Sequence, residues 1–337
     1  MEFSALPPQL TGAGFLGSGV TISGITRSYD SFLAEDVLAR TSSAFGSSMA
    51  ADLTGRIDTL LASEDTGLAT ALDSFFSALQ DVANNPGSLP ERQVLVSEAQ
   101  VLADRFQFLD SRLSQVDSEI SVQMEDAVQD INSISQSLAE LNEQIVSETI
   151  RAGGQAPNDL LDQRDQLLEQ LAQKVGINTV MQDDGAVNVF LGNGQSLVVG
   201  NTASTLTTFA DPYDAGRVSI GLSGFSTQTD ISRFVSCGEL GALIDARSSV
   251  VDGARGDLGV IAMGITSFVN DQHSLGLDLN GNLGTDFFKP LGPLVTSQST
   301  NTGTGSVTAT LLDAGAITGD EYELRFDGAS YALSNTT

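Results

Sequence analysis

Glycines near the N-terminus form the first pattern that could do chemistry. Gly12, Gly14 and Gly17 match G-x-G-x-x-G, the spacing with which a strand-to-helix turn cradles a pyrophosphate. The surrounding sequence does not fit such a turn, because Pro7 and Pro8 precede the glycines and a strand-like run follows them in place of a helix. We therefore expect a flexible loop here and no dinucleotide site.

A second candidate is the run from Asp278 to Asn282, D-L-N-G-N, which is similar to the start of a calcium-binding loop. The later positions depart from that loop. Its sixth residue, normally glycine, is Leu283, and its twelfth, normally a bidentate glutamate, is Lys289. We expect a polar turn, and the alternative is a weak cation site.

The only histidine and the only cysteine are His273 and Cys237. His273 lies at the end of a predicted helix, where an imidazole favours the last carbonyls, so we interpret it as a cap or packing residue. Cys237 cannot form an internal disulfide, and one thiolate cannot build a metal site. This pair gives no partial match to a Ser-His-Asp or Cys-His arrangement.

Carboxylates are abundant, and 43 Asp and Glu residues allow pairs of the kind that glycosidases use. Most of them lie at polar positions of predicted helices, which indicates solvated faces. We therefore assign no catalytic, cofactor-binding or metal-ligating residue and expect no cofactor and no enzymatic activity.

The charge balance excludes further classes of protein. Among the 337 residues, Lys and Arg total 15, which gives a formal charge of -28, and the lysines are Lys174 and Lys289 alone. Binding to nucleic acid or to an anionic membrane needs clustered basic residues, so neither is expected. No apolar run reaches the roughly 18 residues of a membrane span, and residues 1–30 lack the pattern of a cleaved signal peptide.

A long helix is the strongest structural signal. Ser88 and Glu91 form a capping box, and after Pro90 neither glycine nor proline occurs until Gly153. At about 1.5 Å per residue, some 60 residues of helix would be roughly 90 Å long. We interpret its apolar seam as a core-facing stripe of a helix bundle, and a self-associating coiled coil is the alternative. The seam consists of Leu102, Phe106, Leu109, Leu113, Val116, Ile120, Met124, Ala127, Ile131, Ile134, Leu138, Leu141 and Ile145.

Periodicity predicts the remaining elements. Further helices are expected at 29–61, 68–82, 159–174 and 240–272. Asn158 is expected to be the N-cap of the helix at 159–174. Asp183-Asp184-Gly185 and Gly192-Asn193-Gly194 are typical of hairpin turns. Strands are expected at 19–27, 177–181, 187–191, 196–199, 205–209, 217–222, 306–311 and 322–326.

The predicted fold class is α+β and multidomain: a long-helix bundle, the helical shaft, with inserted all-β domains. We expect a flexible segment at 1–18, in which residues 1–3 are interpreted as a cloning scar. The shaft then occupies 19–175, an inserted β domain 176–236, a helix returning to the shaft 237–290, and a truncated β region 291–337.

Several blocks of sequence resemble the flagellar hook-associated protein 1 family, and the resemblance covers the chain from about Gly14. The most recognisable block is P-N-D-L-L-D-Q-R-D-Q-L, from Pro157 to Leu167. The other similar blocks lie at 19–33, 73–80 with 85–86 and 92–93, 194–200, 241–247 and 268–288.

This resemblance implies a structural component of the bacterial flagellum at the hook-filament junction, without catalytic residues. It implies export through the flagellar apparatus without a cleaved signal peptide, to the extracellular flagellum. Implied partners are other axial proteins, namely hook protein and a second junction protein. The export apparatus and an export chaperone would act through terminal helical regions that we expect to be missing here. We expect this chain alone to be monomeric.

Other classes of protein stay open at this point. Within the same class, the alternative is a flagellin-like or hook-type axial protein. From a different class, the alternatives are a secreted carboxylate hydrolase and a calcium-dependent adhesin.

Overall fold

The computed structural model describes residues 2–7, 9–11, 14–16, 19–24, 27–62, 67–192, 194–223 and 229–336. Its α-helices are α1 (Ser31–Ala62), α2 (Leu68–Asn84), α3 (Leu89–Arg151), α4 (Asn158–Lys174), α5 (Gly238–Ala246) and α6 (Gly253–Ser274). Its strands are β1 (Glu2–Ala5), β2 (Gln9–Thr11), β3 (Gly14–Leu16), β4 (Val20–Gly24), β5 (Ile177–Met181), β6 (Val187–Leu191), β7 (Gln195–Val199), β8 (Thr202–Ala203), β9 (Leu206–Ala210), β10 (Val218–Leu222), β11 (Thr229–Asp230), β12 (Tyr322–Phe326) and β13 (Tyr331–Asn335).

The long helix is confirmed, and α3 contains 63 residues. It stops where Gly153 and Gly154 take positive φ angles of 66° and 96°, a conformation that glycine adopts without strain. The N–H of Gly154 donates to the carbonyl of Thr149 at 2.9 Å, which closes the helix end. At about 1.5 Å per residue, α3 is roughly 95 Å long.

The apolar seam of α3 is covered within one chain, so the bundle interpretation is confirmed. All of its residues are buried except Phe106, Val116 and Ile134, which are half-buried. Polar residues share the same stripe, since Asp117 and Asn142 are also buried. A coiled coil between two chains is not needed to cover the seam.

The other predicted helices are confirmed to within two residues, with one exception. The stretch from 240 to 272 was expected as a single α-helix, but a π-helical segment at Arg247–Asp252 separates α5 from α6. Ile261 and Phe268, two apolar residues of this stretch, are 42% and 64% exposed. Asn158 is the first residue of α4 rather than its N-cap, and the cap position is Pro157.

The strands after Gly176 form small antiparallel sheets, as the hairpin signals predict. One sheet has the order β5-β6-β7-β8 and another has the order β11-β10-β9, while β12 pairs with β13. At the β5–β6 turn, Gly185 takes a φ of 91° and its N–H donates to the carbonyl of Gln182.

Two expectations about strands and loops are wrong. Ser306 to Leu311 forms no strand, and Val307 is 49% exposed. An alternating pattern forms a strand only where a neighbour accepts its hydrogen bonds, and β12 and β13 pair with each other instead. Where a loop was expected at 12–17, the described residues Gly14–Leu16 form β3, which pairs with β2. Residues 12, 13 and 17 lie outside the described residues.

The chain divides into two compact units. One comprises residues 1–46, 127–207 and 221–241, and the other comprises 47–126, 208–220 and 242–337. The five-segment division inferred from the sequence stays a prediction. Among the described residues, no helix combines the length and apolar character needed to span a bilayer.

The second unit has an aromatic core around Phe75, which is fully buried on α2. The ring of Phe75 lies 5.8 Å from that of Phe288 and 6.4 Å from that of Phe287. Leu102 of α3 and Val269 of α6 pack in the same cluster. Helices α2, α3 and α6 are therefore joined through one apolar core.

Excising the segment from Asn178 to Phe234 should leave a helical protein. The backbone N–H of Gly176 donates to the carbonyl of Ser236 at 2.9 Å, so the chain leaves and returns at neighbouring points. A short Gly-Ser bridge can therefore close the gap without moving either helix. Circular dichroism of the shortened protein should keep the helical signal, and its complete loss would contradict an independent insertion.

Candidate functional site: polar anchors between helices and strands

His273, one of the sequence candidates, packs at the end of α6. Its Nδ1 lies 2.5 Å from the carbonyl oxygen of Thr285, and its ring meets that of Phe287 edge-on at a centroid distance of 5.5 Å. The imidazole thus joins the last turn of α6 to the segment that returns along it.

The run from Asp278 to Asn282 forms a tight turn around one carboxylate. Asp278 Oδ1 accepts hydrogen bonds from the backbone N–H groups of Asn280 and Asn282, each at 2.8 Å, and Oδ2 accepts from Asn282 Nδ2 at 3.0 Å. Both oxygens are therefore engaged by the turn's own donors. In the part of the chain that the structure describes, no group of three or more His, Cys, Asp or Glu side chains could hold a metal ion.

The pH dependence of this turn follows from its hydrogen bonds. The side-chain and backbone N–H groups of Asn282, then those of Asn280, hold the pKa of Asp278 below its usual range. Because the folded-state pKa is depressed, the ordering of the turn should be complete above the ordinary Asp pKa of about 3.9 and lost as the pH falls through the lower folded value.

Amide shifts of Asn280 and Asn282, followed by NMR against pH, should titrate with a midpoint below about 4. Asp278→Asn removes the titrating group, so in that variant the same shifts should stay constant. A midpoint at or above the ordinary value would contradict the assignment.

Cys237, the remaining candidate, lies exposed at a crossing of backbone segments. Its φ of 56° is the only positive value for a non-glycine residue in the described chain. The next residue, Gly238, has a φ of 64°, and a Cβ there would lie 2.5 Å from the backbone nitrogen of Val175. Glycine is required at 238 because the start of α5 touches the end of α4.

The first polar anchor, Asn142, fixes strands on α3. Its fully buried side chain donates from Nδ2 to the carbonyls of Val187 at 2.8 Å and Gly200 at 2.7 Å, and Oδ1 accepts from the N–H of Val187. One amide therefore binds the start of β6 and the end of β7. Asn132 binds both backbone groups of Leu206 in the same way, at 2.8 and 2.9 Å.

Arg164 is an anchor inside the block that resembles the known family. It is 1% exposed on α4, and its Nε and Nη2 both reach Oδ1 of Asp165, at 3.1 and 2.9 Å. Its Nη1 donates to the carbonyl of Gly185 at 3.3 Å, in the β5–β6 turn. Asp165 is also paired with Arg27, whose Nε lies 3.2 Å from a carboxylate oxygen of Asp162, so two guanidinium groups face two carboxylates.

Lys174 connects three helices. Its Nζ lies 2.8 Å from a carboxylate oxygen of Asp130 on α3 and 2.7 Å from one of Glu239 on α5. Partial burial opposes the positive charge, but the hydrogen bonds to these carboxylates outweigh it and raise the pKa of Lys174. The end of α4 is thereby held to both neighbours.

Arg217 is the anchor just before β10. Its Nε donates to Oδ2 of Asp117 at 2.9 Å, and its Nη1 and Nη2 bind the two oxygens of Asp252, the first at 3.0 Å. Burial again opposes the charge, and the paired carboxylates of Asp252 and Asp117 outweigh it and raise the pKa of Arg217. This bidentate geometry is the one that guanidinium groups make best with carboxylates.

Asn270 on α6 positions the aromatic pair of the core. Its Oδ1 accepts from the N–H groups of Phe287 and Phe288 at 2.9 and 2.8 Å, and its Nδ2 donates to the carbonyl of Phe288 at 2.8 Å. This side chain thus satisfies backbone groups of a segment that lies outside the named helices and strands.

Some anchors leave a signal in the sequence and others do not. Asn142 lies four residues after Leu138 and three before Ile145, so it lies on the buried stripe, where a polar side chain must find a partner. Asp117 lies on the stripe in the same way. Arg164 leaves the same signal, because it lies three residues after Leu161 and four before Leu168 on the apolar stripe of α4. Arg217 lacks such a signal, because its partners Asp117 and Asp252 are distant in sequence.

Long helices that carry small antiparallel sheets on polar anchors define an α+β protein built on a helical frame. A family model described as the flagellar hook-associated protein FlgK helical domain matches residues 54–288. The chain belongs to the FlgK family of flagellar hook-associated proteins.

Individual relatives agree with this assignment. The chain is 33% identical to flagellar hook-associated protein 1 of Escherichia coli K12 over 97% of its own length and 61% of that protein. It is 27% identical to the protein of the same name from Bacillus subtilis, over 82% of the chain and 59% of that protein. It therefore spans about three fifths of the length of these relatives.

A solved structure is also similar. The flagellar hook junction protein FlgK from Burkholderia pseudomallei matches with a TM-score of 0.78 and 33% identity, over 90% of this chain and 55% of that one. The predicted mixed fold, a long-helix bundle with small antiparallel sheets, is thereby confirmed.

Proposed function

We propose that this chain is the helical and β part of a hook-filament junction protein, which connects the flagellar hook to the filament. The observation that carries the proposal is the match of residues 54–288, from the last part of α1 to the aromatic pair at 287–288, to the FlgK helical domain. The named function of the similar Burkholderia protein, a hook junction protein, supports it. The polar anchors suit such a role, because they hold strands in fixed positions on the helices.

The role is structural rather than enzymatic. Each anchor described above pairs a donor with an acceptor, on the backbone or on another side chain, which is stabilising chemistry. The partners are hook protein and a second junction protein, and an export apparatus and chaperone carry the protein to the extracellular flagellum without cleavage of a signal peptide.

The chain by itself should be monomeric at micromolar concentration. A formal charge of -28 makes copies repel one another, and the seam of α3 is already buried within the chain. Light scattering coupled to size-exclusion chromatography measures this directly. A stable dimer formed through residues 102–145 would contradict the prediction.

A chimaera tests the junction function. In an Escherichia coli strain that lacks its own flagellar hook-associated protein 1, that protein would be supplied with its matching segment replaced by this chain. Electron microscopy should then show filaments on the hooks, and swimming should return. The matched control carries Leu113→Asp, which should disrupt the fold and leave the hooks bare.

Immunoblotting of the culture medium separates export from assembly. A folded, exported chimaera that leaves the hooks without filaments would overturn the proposed function. Filaments on hooks in the control strain would show that the residues of this chain do not carry the junction function.

A further inference from the structure

The segment between Lys289 and Asp313 differs in composition from the rest of the chain. Charged residues make up 17% of the chain, but this segment contains none. Within it, nine of the fifteen residues from 296 to 310 are serine or threonine. We call residues 296–310 the hydroxyl strip. Its hydroxyl residues are Thr296, Ser297, Ser299, Thr300, Thr302, Thr304, Ser306, Thr308 and Thr310.

The hydroxyl strip is irregular in structure and open to solvent. It contains no helix or strand, and all nine of its serine and threonine residues are exposed. The N–H of Ser299 donates to the carbonyl of Pro212 at 2.7 Å, which fixes the strip near its middle. A modifying enzyme can therefore reach this segment without opening a helix or a sheet.

The hydroxyl groups of the strip are free to react. In the part of the chain that the structure describes, none of the nine takes part in a hydrogen bond. Several helical hydroxyls of the same chain differ: those of Thr54, Ser114 and Ser118 donate to the carbonyls four residues earlier, at 2.7, 2.9 and 3.0 Å. Such a hydroxyl has to leave its own helix before it can react, whereas the hydroxyls of the strip need no rearrangement.

An exposed strip without regular structure is also open to proteases. Proteases cut most readily at exposed segments with small and polar residues, and the strip consists mainly of these. A protein of the extracellular flagellum meets such enzymes. The strip therefore needs a cover that leaves its backbone in place.

We propose that the hydroxyl strip is an acceptor segment for O-linked glycosylation, and that the sugars protect it from proteolysis. Segments rich in serine and threonine that also contain proline are typical carriers of O-linked sugars, and Pro290 and Pro293 lie just before the strip. Sugars attached at the surface are bulky and solubilising. They suit a segment that has no charged residue of its own.

The transfer needs a sugar diphosphate as the donor and a transferase that acts on this chain. The side-chain oxygen of a strip residue attacks the anomeric carbon of the sugar. A new carbon–oxygen bond forms, the bond between that carbon and the diphosphate breaks, and the diphosphate leaves. A base of the transferase takes the hydroxyl proton, and nothing is oxidised or reduced.

Mass spectrometry of the full-length protein, isolated from the flagella of its natural host, tests the proposal. The intact mass should exceed that of the sequence by whole sugar residues, and fragmentation should place sugars within residues 296–310. Alkaline β-elimination should remove them, because sugars on serine and threonine oxygens leave in that reaction.

Alanine variants made in the same host identify the acceptors. Replacing the nine serine and threonine residues of the strip with alanine should abolish the added mass. The matched control combines Thr54→Ala, Ser114→Ala and Ser118→Ala, which change exposed helical hydroxyls, and it should keep the full added mass.

Elastase, which cleaves after small residues, measures the protection. The same protein produced in a host that adds no sugars should be cut within the strip at least about tenfold faster than the protein from flagella. Circular dichroism of the two forms should be equal, since the sugars lie outside the helices and strands.

Four results would overturn the proposal. An intact mass equal to that of the sequence would show that the strip carries no modification, and increments of phosphate would show a different one. Sugars confined to residues outside 296–310 would show that the strip is not the acceptor. Equal elastase rates for the two forms would show that sugars do not protect it. The junction function is tested separately by the chimaera and does not depend on these results.

Discussion

Leu113→Asp should lower the free energy of unfolding by about 4 kcal/mol or more, which is much of the stability of an ordinary domain. Leu113 is fully buried on the seam of α3. The substitution both removes a packed apolar side chain and places a carboxylate at a position without access to water. Urea denaturation followed by circular dichroism measures the change as a shift of the midpoint.

Val122→Asp on the same helix is the matched control. Val122 is 57% exposed, so the new carboxylate stays in water and the free energy of unfolding should change by about 0.5 kcal/mol or less. Equal midpoints for the two variants would show that the seam of α3 is not the core of the bundle.

Arg164→Ala should lower the free energy of unfolding by about 3 kcal/mol, the second-largest effect that we expect. The substitution leaves a cavity at a side chain that is 1% exposed and removes the donor to the Gly185 carbonyl. The full penalty of an unpaired buried charge is avoided, because Asp165 keeps its contact with Arg27. Arg164→Lys should lower the free energy of unfolding by less, because it keeps the positive charge. It should still lower it, because lysine lacks the planar guanidinium group that reaches both partners.

Arg151→Ala serves as the control for a surface arginine. Arg151 pairs with Glu148 three residues earlier, but its side chain is 75% exposed, so its removal should cost about 0.5 kcal/mol at most. Urea denaturation should therefore separate the two alanine variants clearly. A loss for Arg164→Ala as small as that for Arg151→Ala would mean that the β5–β6 turn is held by other contacts.

The apolar periodicity and the positions of glycine and proline were sufficient to predict α1 to α4. The seam of α3 follows from apolar spacing, and its end follows from Gly153 and Gly154. The end of α2 at Asn84 follows from Pro86, which disfavours a helical conformation at Asn85. These signals are local, so the sequence contains them in full.

Features that depend on distant partners could not be predicted in this way. The run at 306–311 has a strand-like pattern, but no pattern says whether a neighbour will pair with it. Asp252, the last residue of the π segment, is bound by Arg217, which lies 35 positions away in the sequence. Of the anchors, those on a buried helical stripe, such as Asn142 on α3 and Arg164 on α4, could have been recognised, because a polar residue on a buried stripe implies a partner.

The hydrogen bond between Gly176 and Ser236 has a consequence for the order of folding. Before α5 can dock beside α4, the chain must close a loop of about 60 residues, at an entropic cost of about 3.6 kcal/mol if that loop is unstructured. The hairpins of β5 to β8 join residues that are close in sequence, so they can form first and shorten the loop. The sheet would then form early in folding. It would bring Gly176 and Ser236 close together before the returning helix packs.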